Sequence, residues 1–287
     1  MTDQQLISHV SDTARWVAVY RAMETERPDA IFRDPFARRL AGERGEAIMR
    51  GMAKGRQMAW PMIVRTAVMD EIILRAINRD HVDTVLNLAS GLDTRPYRLP
   101  LPRDLHWVDV DLPDMSSYKE SQLAGEKPAC RLEYARVDLA DAAMRADLFR
   151  RVAGAAKQTL VIAEGLLVYL EAGDVAALAR DLHVHAAFRW WLIDLASPRL
   201  LKMMAKTWGK ELAAGNAPFK FGPAEGTAFF APHGWWEEEF RSMWEESIRL
   251  DRTMPFARFW NFLARFYPRR TREEFQRMSG IVLLERS

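Results

Sequence analysis

The chain has 287 residues, and its hydrophobic content of 49% is enough for the core of an α/β domain. Its formal net charge is +2, and the sequence contains no concentrated field of Lys and Arg. Nucleic acids and anionic membranes are therefore not expected partners. The single cysteine, Cys130, excludes an intramolecular disulfide and a metal site built from several cysteines. We expect a cytoplasmic protein without a metal site.

Targeting and membrane-spanning segments are also not expected. Residues 1–16 contain neither the basic region nor the apolar region of a signal peptide. The strongest apolar run, residues 160–170, is interrupted by Glu164 and Gly165. It therefore does not predict a membrane span.

The first part of the chain is predicted to be helical. Between residues 8 and 80, polar start signals such as Ser11-Asp12 precede apolar positions with helical spacing. Trp16, Val19 and Tyr20 form one such set, and a second set runs from Ile63 to Ile77. We predict a helical cap over residues 1–80, ahead of the sheet.

Strands are predicted at seven apolar runs, separated mostly by helical or loop segments. This alternation favours a doubly wound sheet, with residues 81–196 as the cofactor-binding core. The predicted strands cover residues 84–89, 105–110, 132–137, 159–163, 190–195, 247–252 and 281–286.

Residues 197–236 interrupt this alternation and are rich in aromatic residues, Gly and Pro. Long irregular segments at the carboxyl edge of a sheet often build substrate lids. We predict a lid insertion with an apolar substrate wall, and the alternative is that its aromatic residues pack the insertion onto the sheet. Residues 237–287 would then supply a C-terminal helix and edge strands of a single domain, 1–287. The aromatic residues are Phe219, Phe221, Phe229, Phe230, Trp235 and Trp236.

Residues 83–111 contain the most informative pattern of the chain. An apolar run is followed by a tight turn, Ala89-Ser90-Gly91, and by a second apolar run that ends in acid. In parallel sheets, backbone amides of such a turn approach a nucleoside while the later carboxylate binds the ribose hydroxyls. Asp111 ends the second strand and is the predicted ribose ligand. Asp109 is the alternative, because both side chains point to the same side of an extended strand.

The residues after the turn narrow the choice of nucleoside. A dinucleotide fold favours a third glycine and a helix N-terminus for pyrophosphate, but this chain continues with Leu92-Asp93-Thr94. The Asp93 carboxylate would repel a diphosphate. S-adenosylmethionine (SAM) carries a sulfonium and an ammonium group and no phosphate. SAM is therefore the favoured ligand, and a nicotinamide-dependent oxidoreductase is disfavoured.

Several sequence blocks together carry a resemblance to a known family. They are residues 85–95 (VLNLASGLDTR), 108–113 (VDVDLP), 162–170 (IAEGLLVYL), and 11–14 (SDTA) followed by 34–37 (DPFA). With these blocks, the chain resembles the leucine carboxyl methyltransferase-like family, which includes protein phosphatase methyltransferases and bacterial polyketide O-methyltransferases. The resemblance implies a class I SAM-dependent methyltransferase fold, a Rossmann-like α/β structure whose seven-stranded sheet has an antiparallel last strand. It also implies SAM as the cofactor.

The same resemblance implies roles for individual residues. Asp111 would bind the ribose, and Asp138 with Leu139 would contact the adenine. Glu164 would pair with the ammonium group of the methionine moiety, and Arg65 would bind its carboxylate. Glu164 interrupts an apolar run, where a carboxylate is costly to bury without a partner.

Structural roles remain as alternatives for these residues. Asp111 would otherwise cap the turn before Pro113, and Asp138 would be a solvated cap. Glu164 would pair with an arginine, and Arg65 would be a surface residue. Near the N-terminus, Arg15 is the predicted contact and Arg21 competes with it. The predicted cofactor-binding set is Arg15, Arg65, Ala89, Ser90, Gly91, Asp111, Asp138, Leu139 and Glu164.

The chemistry predicted at this site is methyl transfer to oxygen. No Ser-His-Asp or Cys-His arrangement is readable, and the histidines lack metal-ligand spacing, so hydrolysis is disfavoured. A carboxylate with a reference pKa of about 4 is ionised at neutral pH, whereas a phenol near 10 usually requires a base. We therefore predict methylation of a carboxylate on a small metabolite or a peptide C-terminus.

Two other functions remain open. A phenol or hydroxyl of a polyketide-type metabolite would require a base, and His233 in the predicted lid is the candidate for it. Tyr169 is a candidate for the substrate wall, although a core tyrosine is an equal alternative. The last alternative is a SAM-binding protein without catalytic activity.

Overall fold

The computed structural model describes residues 11–52, 55–214, 217–254 and 267–287 of the chain. The described part begins with helices, as predicted for the cap, and the predicted helical residues 8–10 lie outside it. The cap elements are α1 (Ser11–Thr25), α2 (Ala37–Gly51), a 3₁₀ turn (Gly55–Met58) and α3 (Ala59–Arg79).

The described residues after the cap form one sheet of seven strands in the order β3-β2-β1-β4-β5-β7-β6. Strands β1 to β5 run parallel to one another, and β7 is antiparallel to both β5 and β6. The predicted seven-stranded sheet with an antiparallel last strand is therefore confirmed. The strands are β1 (Thr84–Leu88), β2 (His106–Asp111), β3 (Arg131–Arg136), β4 (Thr159–Ala163), β5 (Phe188–Ala196), β6 (Trp235–Ser242) and β7 (Ser279–Arg286).

Helices follow the strands and begin at recognisable signals. Pro113 occupies the first turn of α5, and the Asp141 carboxylate caps α6 by accepting from the amides of Ala143 and Met144. Within the described part, no helix has the length and apolar character to cross a bilayer. The helices are α4 (Arg95–Arg98), α5 (Pro113–Gln122), α6 (Ala142–Ala155), α7 (Ala172–His183), α8 (Pro198–Ala214), α9 (Met243–Arg249) and α10 (Arg269–Gln276), with 3₁₀ turns at Leu167–Tyr169 and Gly226–His233.

One predicted strand is wrong. A strand was predicted at residues 247–252, but residues 247–249 are the last turn of α9. The sixth strand is instead β6, which starts at Trp235 within the predicted insertion. β6 is an edge strand whose residues 236–238 are exposed, and its pairing with β7 is irregular between Glu237 and Glu239. An edge strand with one solvated side needs no apolar run, so the hydrophobic pattern did not reveal it.

The sheet is covered on both faces, as a parallel sheet requires. Side chains alternate along β1, so Val85 packs towards α3 while Leu86 packs towards the opposite face. On that opposite face, α6 and α7 contribute residues such as Phe149 and Leu182. All residues of β1 and β4 are buried, which places these two strands at the centre of the fold.

The cap packs over the carboxyl end of β1 through an apolar cluster of its own. Tyr20 of α1 and Leu40 of α2 belong to this cluster together with Leu92, which lies just after the β1 turn. Polar contacts reinforce it: Arg21 of α1 pairs with Asp34 at 2.8 Å and donates to the Leu92 carbonyl at 2.5 Å. The cap therefore covers the turn that follows β1.

A buried ion pair joins the cap to the C-terminal part of the chain. Glu24 is 0% exposed, and its carboxylate accepts from the guanidinium of Arg252 at 2.9 Å. Arg252 is 6% exposed and also donates to the carbonyl of Asp29 at 2.6 Å. Glu24 additionally accepts from the amide of Ile31. The buried Glu24 carboxylate thus connects α1 to Arg252 and to the segment that follows α1.

We expect Glu24→Ala to lower the free energy of unfolding by about 3–5 kcal/mol, because it leaves a guanidinium buried without its main partner. Glu26→Ala is the matched control, since Glu26 pairs with Arg38 on the surface. It should cost less than about 1 kcal/mol. Urea denaturation of both variants at neutral pH measures the difference, and equal losses would contradict a structural role for the buried pair.

Candidate cofactor site

A cavity of about 830 Å³ lies between the carboxyl ends of the parallel strands and the cap. Ligand sites of folded proteins commonly measure about 300–1,000 Å³, so this cavity has the size of a ligand site. It lies above β1 and β4, where the strand order reverses and where open α/β sheets bind their ligands. Four strand ends contribute polar groups to its wall: Asn87, Asp111, Glu164 and Asp194.

The turn after β1 is held against the end of β2. The amide of Ser90 donates to the Val110 carbonyl at 2.9 Å, and the amide of Gly91 donates to the Asp111 carboxylate at 2.6 Å. Ala89 and Gly91 both have φ of 50°, in the left-handed region that few residues other than glycine adopt. A Cβ on Gly91 would lie 3.2 Å from Ala14 of α1, so a glycine here lets the cap approach the turn closely.

The structure separates the two candidates for the ribose ligand. Asp109 is 1% exposed, and its carboxylate accepts from Asn87, from the Trp107 indole and from Lys119 at 2.6 Å. Asp111 instead lies on the cavity wall. Burial raises the pKa of Asp111, and the amides that donate to it partly offset this increase. Of the two carboxylates, Asp111 is the one that a ligand can reach.

Arg65 and Glu164 meet at the far end of the cavity. Arg65 donates through Nε to Glu164 Oε1 at 2.9 Å and through Nη1 to Asp194 at 3.2 Å. The second oxygen of Glu164 accepts from Arg95 at 2.8 Å. Arg65 is therefore buried and paired, and the alternative of a surface arginine is excluded. The alternative considered for Glu164, pairing with an arginine, is therefore observed, and its partners are Arg65 and Arg95.

The charged state of this group follows from its contacts. Burial opposes ionisation of Glu164, but the guanidiniums of Arg95 and Arg65 outweigh it and lower its pKa. Burial likewise opposes ionisation of Asp93, and Arg95 with Lys119 holds its pKa well below the usual range. At neutral pH this end of the cavity therefore contains ionised carboxylates beside guanidiniums.

Four residues of this arrangement were not among the predicted site residues. Asn87 donates to Asp93 at 3.0 Å, and Arg95 pairs with Asp93 at 2.6 Å. Asp194 accepts from Arg65 and from the amide of Gly165. A sequence signal existed for Asp194, because it is a single acid within the apolar run of β5. Asn87, Asp93 and Arg95 lie inside the first block of the family resemblance.

The other predicted cofactor residues lie away from the cavity wall. The Arg15 guanidinium stacks on the Tyr118 ring at 3.7 Å, whereas its competitor Arg21 does line the cavity. Asp138 is exposed and accepts from the amide of Ala140, and Leu139 packs against the core beside the sheet. Both follow β3, the edge strand, while the cavity wall extends only to the end of β2.

The two candidate catalytic residues occupy different surroundings. His233 lies at the end of a 3₁₀ turn, its ring packs on Phe229, and it does not line the cavity. Burial and the nearby Arg180 lower its pKa. Tyr169 lines the cavity and stacks on Phe219 with ring centroids 5.7 Å apart. Burial raises the pKa of the Tyr169 phenol, which therefore remains protonated at neutral pH.

The aromatic residues of the predicted insertion divide between two surroundings. Phe219 and Phe221 line the cavity, whereas Phe230 and Trp235 are fully buried in the core of the sheet. Trp236, on β6, is exposed. Part of the set therefore lines the cavity, as predicted for a substrate wall, and part packs the segment onto the sheet, as the alternative held.

The rest of the cavity wall is mainly apolar and comes from the cap, α8 and the C-terminal elements. Methionine contributes strongly, and its flexible side chain adapts to irregular ligands. The apolar wall includes Trp16, Met58, Trp60, Met62, Met203, Met204, Trp208, Phe219, Phe221, Met243 and Met278.

The donor set of this cavity suits SAM. One end presents a guanidinium beside carboxylates, which matches the paired carboxylate and ammonium of a methionine moiety. Asp111 presents a carboxylate at the end of the second strand, as expected for a ribose. The same wall contains Asp93 close to the turn, which disfavours a pyrophosphate.

Comparison with known proteins identifies relatives among actinobacteria. A Mycobacteroides abscessus protein named "Putative S-adenosyl-L-methionine-dependent methyltransferase" is 35% identical over 199 residues, which are 63% of this chain and 64% of that protein. The chain thus spans less than two thirds of the length of this relative. A protein of the same name from Mycobacterium sp. strain KMS is 30% identical over 278 residues, or 87% of this chain and 90% of the relative.

Solved structures and family comparison agree with the described fold. A DUF574 family protein from Streptomyces avermitilis matches with a TM-score of 0.59 at 13% identity, covering 94% of this chain and 97% of that chain. Together with the strand order, this confirms the predicted class I SAM-dependent methyltransferase fold. The leucine carboxyl methyltransferase family matches residues 14–183. The chain therefore belongs to the leucine carboxyl methyltransferase family.

Proposed function

We propose that this protein is a SAM-dependent O-methyltransferase that transfers a methyl group to a carboxylate on a small metabolite or a peptide C-terminus. The single observation that carries the proposal is the composition of the cavity. A charged end that suits a methionine moiety opens into an apolar compartment, and no histidine of the described chain lines it. Family membership supports methyl transfer as the reaction.

The cofactor is SAM, and the cavity residues divide its binding among them. Asp111 binds the ribose hydroxyls, and Ala89, Ser90 and Gly91 bring the backbone close to the ligand. Glu164 pairs with the ammonium group, for which it exchanges one of its present guanidinium contacts.

The remaining cofactor assignments rest on the family resemblance. Arg65 binds the methionine carboxylate and keeps Asp194 as a partner. Asp138 and Leu139 lie beyond the cavity wall, on the side where an adenine bound next to Asp111 would extend. The Arg15 guanidinium stacks on the Tyr118 ring and does not line the cavity, so its assignment rests on the resemblance alone.

SAM supplies an activated methyl group and a neutral thioether leaving group, so the protein mainly aligns the acceptor and excludes water. The cap and α8 perform this role by covering the strand ends with apolar side chains such as Trp16 and Trp208, whose rings lie 5.6 Å apart. The Tyr169 hydroxyl remains a hydrogen-bond donor at neutral pH because its pKa is raised by burial. It can orient an acceptor oxygen but cannot remove a proton from it.

A carboxylate acceptor fits these surroundings because it requires no base. A phenol acceptor is the second candidate, and it would require a general base, a role for which no histidine lines the described cavity wall. A SAM-binding protein without catalysis is the third candidate. Incubation with methyl-labelled SAM and extracts of small acidic metabolites tests all three, because it shows whether label is transferred and to which functional group.

We expect Asp111→Ala to weaken SAM binding by about 1–3 kcal/mol, since it removes charged hydrogen bonds to the ribose. Asp114→Ala is the matched control, because Asp114 is an exposed acid three residues later in α5. Its effect should be negligible. Calorimetry with SAM, combined with circular dichroism to check the fold, makes the comparison. Unchanged affinity in folded Asp111→Ala would reject the ribose role.

We expect Glu164→Gln and Arg65→Met to weaken SAM binding far more than adenosine binding, because adenosine lacks the ammonium and carboxylate groups. The double variant removes one charge of each sign from the ion pair and so limits the cost of leaving a buried charge unpaired. Calorimetric titration of each variant with both ligands provides the test. Equal losses for SAM and adenosine would indicate a purely structural ion pair.

We expect His233→Ala to change the transfer rate by less than about tenfold, because loss of a positioned base typically costs 10² to 10⁴ and His233 lies outside the cavity wall. The methylated product should be an ester that releases methanol in mild alkali. An alkali-stable product together with a large loss of rate in the variant would instead identify a phenol methyltransferase.

A further inference from the structure

Asp194 lies on the cavity wall at the end of β5, between two groups of the proposed methionine site. Its Oδ2 accepts from Arg65 Nη1 at 3.2 Å, and its Oδ1 accepts from the Gly165 amide at 2.6 Å. Its side chain is 22% exposed, although Ile193 and Leu195 on either side of it are buried. This carboxylate therefore holds the Arg65 guanidinium from one side and the turn after β4 from the other.

Gly165 allows the Arg65 guanidinium to approach the backbone closely. It has φ of +65°, and a Cβ at this position would lie 3.2 Å from Arg65 Nη1. The Arg65 guanidinium therefore lies directly against the Gly165 backbone, with the Asp194 carboxylate joining the two. If Glu164 turns towards an ammonium group, Arg65 still has Asp194 as an anchor.

Asp194 also ends a continuous series of buried ion pairs. Glu164 bridges Arg65 and Arg95, Arg95 pairs with Asp93 and Asp70, and Asp70 pairs with Arg98. Four carboxylates share three guanidiniums in this series, which leaves one net negative charge. The carboxylates are Asp70, Asp93, Glu164 and Asp194, and the guanidiniums are Arg65, Arg95 and Arg98.

The distances within the series set Asp194 apart from the other carboxylates. Glu164 contacts two guanidiniums at 2.8 and 2.9 Å, and Asp70 contacts Arg95 and Arg98 at 2.7 and 2.6 Å. Asp93 contacts Arg95 at 2.6 Å. The ion pair of Asp194 with Arg65 is the longest of the series, at 3.2 Å, and Arg65 is shared with Glu164. Asp194 thus has the longest ion pair of the four carboxylates, and it lines the cavity.

We infer that Asp194 is a specificity-determining residue that makes the site prefer the cationic cofactor SAM to the neutral product S-adenosylhomocysteine. The inference rests on the proposed function in so far as it takes this cavity as the SAM site. SAM carries a sulfonium, an ammonium and a carboxylate, and its net charge is +1. The product has lost the sulfonium and has no net charge. The Asp194 carboxylate on the wall of this partly desolvated cavity attracts the net positive charge of SAM, whereas the product has no net charge for it to attract. Methyl transfer therefore weakens retention of the cofactor product.

Asp194→Asn tests this inference, because it removes the charge while the amide oxygen can still accept from Gly165. We expect SAM affinity to fall about tenfold or more, and S-adenosylhomocysteine affinity to change by less than about threefold. Sinefungin, in which a protonated amine replaces the methylated sulfonium centre, should follow SAM. Asp194→Glu retains the charge and should retain the ratio of the two affinities. Calorimetry measures every pair, so no turnover is required.

Two controls separate this inference from the proposed function. Asp111→Ala should weaken both ligands equally, because both contain the ribose. Asp194→Thr is a second neutral variant, to be used if Asp194→Asn does not fold. Equal losses of SAM and S-adenosylhomocysteine affinity in a folded neutral variant would overturn the role of Asp194 while leaving the SAM site intact. Failure of the wild-type protein to bind SAM would overturn both proposals.

Discussion

The ion pairs that join Arg65, Glu164 and Arg95 at the carboxyl edge of the sheet are the constraint on which the site depends. Burying each ion costs several kcal/mol unless a partner and further hydrogen bonds compensate. The partners come from α3, from α4 and from the turn after β4, which are distant in sequence. Their positions therefore become interdependent, and the charges remain accessible from the cavity because they lie at strand ends rather than within the sheet.

The cap is coupled to this edge by polar contacts as well as by packing. Asp34 accepts from Arg21 and from the Thr94 hydroxyl at 2.7 Å, so it connects α1 to the residue that precedes α4. Arg95 of α4 then continues into the ion pairs around Glu164. Polar contacts thus connect α1 to the charged end of the cavity. The sequence block 34–37 therefore has a structural role, which is to link α1 to the residues that follow the β1 turn.

The charged end and the apolar compartment of the cavity differ in rigidity. Charged groups at strand ends have fixed positions because the sheet is buried on both faces and rigid. The opposite wall consists largely of methionine and aromatic side chains, and the flexible methionines can adapt to ligands of irregular shape.

The amino-acid sequence by itself determined the central strands, the order of the cofactor motifs and the family. Buried strands such as β1 and β4 require continuous apolar runs, so they were readable within a residue, whereas the edge strand β6 required none and was missed. Glu164 was recognisable because a carboxylate in an apolar run needs a partner. Only the tertiary structure decided which arginines pair with Glu164, since Arg65 and Arg95 lie 99 and 69 positions away from it and a linear pattern carries no information on such pairing. For the same reason, only the tertiary structure showed that Asp111 lines the cavity and Asp109 does not. It also showed that Arg15, Asp138 and His233 lie away from the cavity wall.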